Sequence, residues 1–164
     1  MFAMMPKVAI AAVAVALLAL GGGKLAGGGR SEDARVVRVV DGDTVVVRTG
    51  SREERVRYIG VDTPESVKPG SPVQCFAKAA AAANRRLVLG RGVKLVRDAE
   101  ARDRYGRTLA YVYRAGDGLF VNAELVRGGY AKPLAIRPNV AHREEFQALA
   151  MTARRAGKGL WSRC

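Results

Sequence analysis

Two short runs of β-branched residues, separated by Asp41-Gly42, constrain the fold of this chain more than any other feature. Residues 34–40 read Ala-Arg-Val-Val-Arg-Val-Val and residues 44–49 read Thr-Val-Val-Val-Arg-Thr. Valine and threonine lose χ1 freedom in a helix and fit a pleated surface. Each run is also too short for a stable helix. Asp-Gly between such runs is a hairpin signal, because a tight turn needs residues that tolerate positive φ. A third run, residues 55–61, follows the polar link Gly50-Ser51-Arg52-Glu53. It sets Arg57 two residues before Ile59, on the same face of the strand. Three strands with short links predict an antiparallel meander.

Residues 65–74, with Pro64, Pro69, Gly70 and Pro72 in or beside them, read as a loop. Residues 76–89 contain an unbroken alanine run and predict a helix. Phe76, Ala79, Ala80, Ala83 and Leu87 form its apolar stripe, and Gly90 its stop. Residues 93–96 and 108–114 read as two more strands. Asn122 is placed as the cap of a short helix through residue 126, ended by Gly128-Gly129. Residues 141–156 predict a third helix with Phe146, Leu149, Ala150 and Ala153 inward and Gly157 after it. His142 opens that helix as a solvated surface residue, and Trp161 anchors the tail. Five strands with a helix after the third make an α+β, mainly β chain. That order is the OB pattern, a five-stranded barrel with three helices, a fold used for nucleic acids and oligosaccharides.

The charge balance points to a polyanion. Lys plus Arg number 28 against 15 acids, a net +13. Such a field concentrates nucleic acid, although solubility or an anionic cell surface would also account for it. Met1 to Lys7 carries one positive charge, residues 8–20 are apolar throughout, and a Gly-rich stretch follows. That is the pattern of an export signal. The apolar run falls short of the roughly 20 residues that span a bilayer. Ala26-Gly27-Gly28 is a fair cleavage site, and an uncleaved membrane anchor is the alternative. Residues 31–164 are expected to form the single folded domain. Two cysteines, Cys75 and Cys164, are too few for a structural zinc site. In an exported chain such a pair is expected to form a disulfide.

Asp43 and Asp62 are the candidate metal ligands, since calcium and magnesium prefer carboxylate and carbonyl oxygens. A hairpin joining the second and third strands brings its open ends, and so these two acids, together. Glu65 follows Asp62 by three residues, where a carboxylate can act on water. Arg57 and Arg107 are candidates to stabilise charge, because the guanidinium fork matches phosphate oxygens and stays protonated. With one histidine in the chain, a histidine-based mechanism has little to draw on.

Asp41-Gly42-Asp43-Thr44, Arg57 five residues before Asp62-Thr63-Pro64-Glu65, and Asp103-Arg104-Tyr105-Gly106-Arg107 resemble the signature segments of the staphylococcal nuclease family. Leu109-Ala110-Tyr111-Val112-Tyr113, Val121-Asn122, Ala131-Lys132, Pro138-Asn139 and Gly159-Leu160-Trp161 continue the resemblance in order over residues 35–164. It implies a calcium-dependent phosphodiesterase of OB fold that acts on DNA and RNA, single strands preferred, and leaves 3′-phosphate ends. It also implies that Asp43 and Asp62 bind calcium through carboxylates and Thr63 through its main-chain carbonyl, with Asp41 a nearby acid. Glu65 becomes the general base, and Arg57 and Arg107 the phosphate ligands. Arg104 and Tyr105 join them on the substrate side. The family's type member has two tyrosines between the Ala-Lys and Pro-Asn segments. This chain has Pro133-Leu134-Ala135-Ile136-Arg137, one residue shorter and without tyrosine. A monomer, exported or anchored by its N-terminal segment, is expected. The competing readings are a nucleic-acid-binding OB module without catalysis and a basic envelope-binding domain. Together, Asp43, Asp62, Glu65, Arg57 and Arg107 argue against the first.

Overall fold

The computed structural model describes residues 31–66, Gly70 and residues 72–164. The expected export signal or anchor, with its Gly-rich linker, lies in residues 1–30, outside the described residues. The described elements, in chain order, are β1 (Ser31–Val39), β2 (Thr44–Thr49), β3 (Arg52–Tyr58), β4 (Gly60–Asp62), α1 (Ala77–Val88), β5 (Gly92–Val96), β6 (Thr108–Arg114), α2 (Val121–Arg127), β7 (Lys132–Leu134), α3 (Arg143–Arg155) and the single turn α4 (Leu160–Arg163). Five strands close into a barrel in the order β1-β2-β3-β6-β5. β1, β2 and β3 form the expected antiparallel meander, with Thr44 opposite Arg57. The barrel closes by the parallel pairing of β3 with β6, in which Arg57 lies beside Leu109. Val36, Val45, Val47, Val56, Leu95 and Val112 fill the interior and are fully buried. Burying each such side chain is worth about 1.5–3 kcal/mol.

The third expected strand is broken. It ends at Tyr58, and Gly60 takes φ 78, which turns the chain out of the barrel. A Cβ at Gly60 would lie 2.5 Å from Cε2 of Phe146, so only glycine lets α3 pack this close. Gly60–Asp62 then pairs with β7, Gly60 opposite Leu134 and Asp62 opposite Lys132. This two-stranded ribbon, which sequence patterning did not indicate, carries Asp62 to its position.

Two polar side chains lash the helices to the barrel. Asn84 of α1 is buried, accepts the Tyr58 hydroxyl at 2.9 Å and donates to the Asp41 carbonyl at 2.9 Å. Asn122 does not cap α2. Phe120 holds that position, while Asn122 is buried one residue inside the helix. There it accepts from the Val112 N–H at 2.9 Å and donates to the Ile59 carbonyl at 2.8 Å. His142 is half-buried and not fully solvated, with Nδ1 beside Glu145 Oε2 at the surface. Its ring packs edge-on against Tyr111, with centroids 4.5 Å apart, and against Phe120 at 4.8 Å. The expected disulfide is present: Cys75 and Cys164 are bridged, with Cα atoms 5.9 Å apart. It ties the C-terminal tail to the start of α1, and Trp161 packs against the core as an anchor.

Candidate active site

Asp43 lies at the entry to β2 and is 5% exposed. Its Oδ2 accepts from the Thr63 N–H at 2.8 Å and the Thr63 hydroxyl at 2.9 Å. Its Oδ1 accepts from the Thr44 hydroxyl at 3.1 Å. Gly42 permits this closeness, since a Cβ there would meet the Thr63 side chain at 2.6–2.7 Å. Asp41 accepts the Asp43 N–H at 3.1 Å, which completes the turn.

Arg57 reaches across from β3. Nη1 lies 2.9 Å from Asp43 Oδ2 and donates to the Val61 carbonyl at 2.9 Å. Nη2 donates to Asp62 Oδ1 at 3.1 Å. The guanidinium therefore joins the two acids expected to hold metal; they do meet at one corner, but Asp62 is brought there by the β4–β7 ribbon and not by the open end of the β2–β3 hairpin. Glu65 is held through its main chain. Its N–H donates to Gln74 Oε1 at 2.8 Å, and its carbonyl accepts the Gln74 N–H at 3.0 Å. Gln74, one residue before the bridged Cys75, was not singled out from sequence. No local pattern marks a loop glutamine as a partner for a residue nine positions away.

The electrostatics of this corner are those of surplus negative charge. Burial, then repulsion from Asp43 and more weakly from Glu65, pushes the Asp41 carboxyl up to about 6. Asp62 is also raised. Burial is the main cause, Arg57 opposes it, and the charges of Asp43 and Glu65 add to it. The acids thus repel one another, with Arg57 as the guanidinium bound between Asp43 and Asp62. Among the described residues, no group of three or more His, Cys, Asp or Glu side chains could hold a metal ion by itself. The donor set available is two carboxylates with main-chain oxygen beside them. Its chemistry and its excess charge fit a hard, oxygen-seeking cation.

The second basic group stands on the loop before β6. Asp103 organises it: Oδ1 accepts the N–H groups of Tyr105 at 2.9 Å and Arg107 at 3.0 Å, and Oδ2 accepts Arg107 Nε at 2.6 Å. Burial alone would raise the Asp103 carboxyl, but these bonds and the Arg107 charge hold it below the usual carboxylate range. Tyr105 is 68% exposed. The Arg104 and Arg107 guanidinium carbons lie 4.9 and 5.5 Å from its ring centroid. Sequence reasoning named Arg104, Tyr105 and Arg107 but gave Asp103 no role. An acid four residues before an arginine, across a glycine turn, was the available signal.

Arg57, Arg104, Tyr105 and Arg107 line a cleft of about 600 Å³ whose wall also includes Leu134 and Ile136. Asp43, Asp62 and Glu65 are not part of that wall. Arg57 is the link between the two: it lines the cleft and binds both aspartates.

The family model described as staphylococcal nuclease homologue matches residues 55–163. The chain belongs to the staphylococcal nuclease family. The thermonuclease of Staphylococcus hyicus is 41% identical over 128 residues, which cover 78% of this chain and 75% of that protein. The thermonuclease of Staphylococcus intermedius is 41% identical over 134 residues, covering 82% and 79%. The endonuclease YncB of Bacillus subtilis (strain 168) is 37% identical over 128 residues, covering 77% of this chain and 60% of its own length. As a staphylococcal nuclease homologue the chain is an enzyme, a hydrolase of the nuclease class. Its fold, the closed five-stranded barrel with helices, is the OB fold expected of that family.

Proposed function

We propose that this chain is a calcium-dependent nuclease that hydrolyses phosphodiester bonds of DNA and RNA, prefers single strands and leaves 3′-phosphate ends. The observation that carries this reading is the position of Arg57. One guanidinium lines the cleft shared with Arg107 and also binds Asp43 and Asp62. In this reading Asp43 and Asp62, with the Thr63 carbonyl, hold calcium, and Asp41 adds negative charge beside them. Calcium, when bound, supplies fixed positive charge next to the phosphate.

Arg57 and Arg107 grip the non-bridging oxygens of the scissile phosphate through paired N–H donors. Charge builds on those oxygens as water adds, and donors already in place stabilise it without reorganising. Glu65 accepts a proton from the attacking water. The new P–O bond forms as the bond to the 5′ oxygen breaks. The phosphate stays on the 3′ side, and the 5′ oxygen leaves as a hydroxyl after taking a proton from solvent. Asp103 keeps Arg107 and Tyr105 aimed into the cleft, and Arg104 and Tyr105 contact the substrate. The cleft also presents Leu134, 38% exposed, and Ile136, 62% exposed, so bases meet aliphatic surface there.

The Cys75–Cys164 bridge and residues 1–30 support export, secreted or periplasmic, or anchoring by the N-terminal segment. Among the described residues no helix is long and apolar enough to cross a membrane. The test is end-group analysis of digests of single-stranded DNA and RNA made in calcium. The reading predicts 3′-phosphates that a phosphatase removes. Intact substrate, or 5′-phosphate ends, would contradict it.

A further inference from the structure

Beyond the Asp62 end of the β4–β7 ribbon stands a second cluster with the same construction as the Arg104–Tyr105–Arg107 group. Lys132 lies directly opposite Asp62 in the ribbon register. Its Nζ is 5.9 Å from the Trp161 ring centroid, and the Arg154 guanidinium carbon is 5.7 Å from the same ring. Both cations are exposed, while the indole is half-buried. Neither cation is in salt-bridge contact with an acid among the described residues. Arg48, Arg102 and Arg107 each pair with one. A cation resting on a ring face keeps its N–H groups available, because the π face draws on its charge and not on its donors.

The two clusters lie toward opposite ends of the ribbon. Gly60 and Leu134, at one end, line the cleft that holds Arg104, Tyr105 and Arg107. Asp62 and Lys132 are at the other, two residues or roughly 7 Å further along. Asp62, bound by Arg57, thus stands beside Lys132 at the far end of the ribbon, while Arg57 itself reaches the cleft that holds the first pair of cations. Basic groups spaced along a path with aromatics between them are how proteins follow a flexible single strand.

We propose that Lys132 and Arg154, positioned by Trp161, form a second phosphate-binding subsite, which takes the nucleic-acid backbone after it has crossed the reaction centre. This rests on the nuclease reading. The strand runs from the Tyr105 cluster across Arg57 and Arg107, past Asp62, and onto the Trp161 cluster. Occupation of both sides at once favours cleavage inside a strand over removal of end nucleotides. Lys132 and Arg154 bind phosphate directly, and Trp161 acts as a positioning residue.

The test is the salt dependence of binding to a single-stranded phosphorothioate oligonucleotide, for three forms of the full chain. These are the wild type, Lys132→Gln/Arg154→Gln, and Arg48→Gln/Arg52→Gln. The last removes the same charge at the far end of the β2–β3 hairpin, and thermal melts establish that all three are folded. Each phosphate contact to a single strand contributes about 0.7 to the slope of log K against log salt. The Lys132/Arg154 variant is expected to bind with a slope shallower by about 1.4, and to gain less affinity than the wild type when the oligonucleotide is lengthened. The hairpin variant is expected to keep the wild-type slope. A wild-type slope in the Lys132/Arg154 variant, or an equal loss in the hairpin variant, would overturn the subsite. A wild type that binds with a steep slope but never cleaves natural single strands would instead overturn the nuclease reading, while leaving the subsite standing.

Discussion

The two arginines that line the cleft are both held by acids, but in different ways. Arg57 sits on a barrel strand with its side chain 15% exposed, locked between Asp43, which is buried, and Asp62. Arg107 sits on a loop with its side chain 30% exposed, and its one acid, Asp103, is mainly occupied in shaping that loop. The first arrangement is packed into the fold and ties a cleft-lining guanidinium to the carboxylate corner. The second is a local device that aims a side chain and can be altered without disturbing the barrel. Substitutions at the two positions should therefore resemble each other in rate and differ in stability.

The largest effects are expected at these arginines. Arg57→Lys and Arg107→Lys each keep the charge and lose the fork. Each should lower kcat by about 100- to 1,000-fold, the usual cost of one preorganised donor to developing charge. Stability separates them. Arg57→Ala leaves the buried Asp43 carboxylate without its cation, and urea unfolding in calcium-free buffer should show a loss of about 3 kcal/mol. Arg107→Ala should cost no more than about 1 kcal/mol, as for exposed pairs. Equal stability losses would erase the distinction.

Glu65→Gln should fold normally, bind calcium and turn over at least about 100-fold more slowly, because an amide cannot take the proton. Gln74→Ala should give a smaller loss in the same direction, since it removes the side-chain acceptor of the Glu65 N–H but keeps the residue-74 N–H bond to the Glu65 carbonyl. Steady-state kinetics on single-stranded DNA would check both. A Glu65→Gln rate equal to wild type across neutral and alkaline pH would remove Glu65 from the chemistry.

A smaller effect is expected from Asp103→Asn, about tenfold in rate, in keeping with loss of a charged hydrogen bond that positions Arg107. The Asp103 carboxyl is depressed on folding, so its contribution is fully present above the ordinary carboxylate range near about 4 and is lost as pH falls through its lower folded value. NMR of the Arg107 Nε–H during acid titration should show the loop ordered down through that range. Release of Arg107 already at higher pH would contradict it.

The smallest effect on rate belongs to the disulfide. It closes a separation of 89 residues, for which the chain-entropy model gives roughly 4–5 kcal/mol. Reduction should lower Tm and leave low-temperature activity nearly intact, because the Glu65–Gln74 bonds do not involve sulfur. A drop in rate at a temperature where the reduced chain is still folded would assign the bridge a role in the site.

Much of this arrangement was legible in the chain. Valine-rich runs around Asp-Gly give the meander and put Asp43 at the entry to β2, and the expectation that Asp62 lies near it holds, although through the β4–β7 ribbon and not through the hairpin. What was not legible depended on partners distant in sequence. Gly60 breaks the third strand because Phe146 of α3 fills the space where a Cβ would stand. Asn122 resembles a helix cap but serves as a buried tie between β6 and Ile59. His142 reads as solvated until Tyr111 and Phe120 are brought around it. The pairing of Lys132 with Asp62 follows from that same break at Gly60, through a ribbon too short to leave a pattern.

The central claim, that Asp43 and Asp62 form a calcium-dependent centre coupled to the cleft through Arg57, is tested most directly by digesting heat-denatured DNA. Wild type and Asp62→Asn would be assayed side by side across a calcium titration, with a calcium chelator at its lower limit. The account predicts digestion by the wild type in calcium, none in the chelator, and recovery when calcium is restored. It also predicts that Asp62→Asn needs much more calcium for half-maximal rate, since one carboxylate ligand has become a neutral amide. Full wild-type activity in the chelator with no other divalent ion present, or an unshifted calcium response in Asp62→Asn, would contradict it.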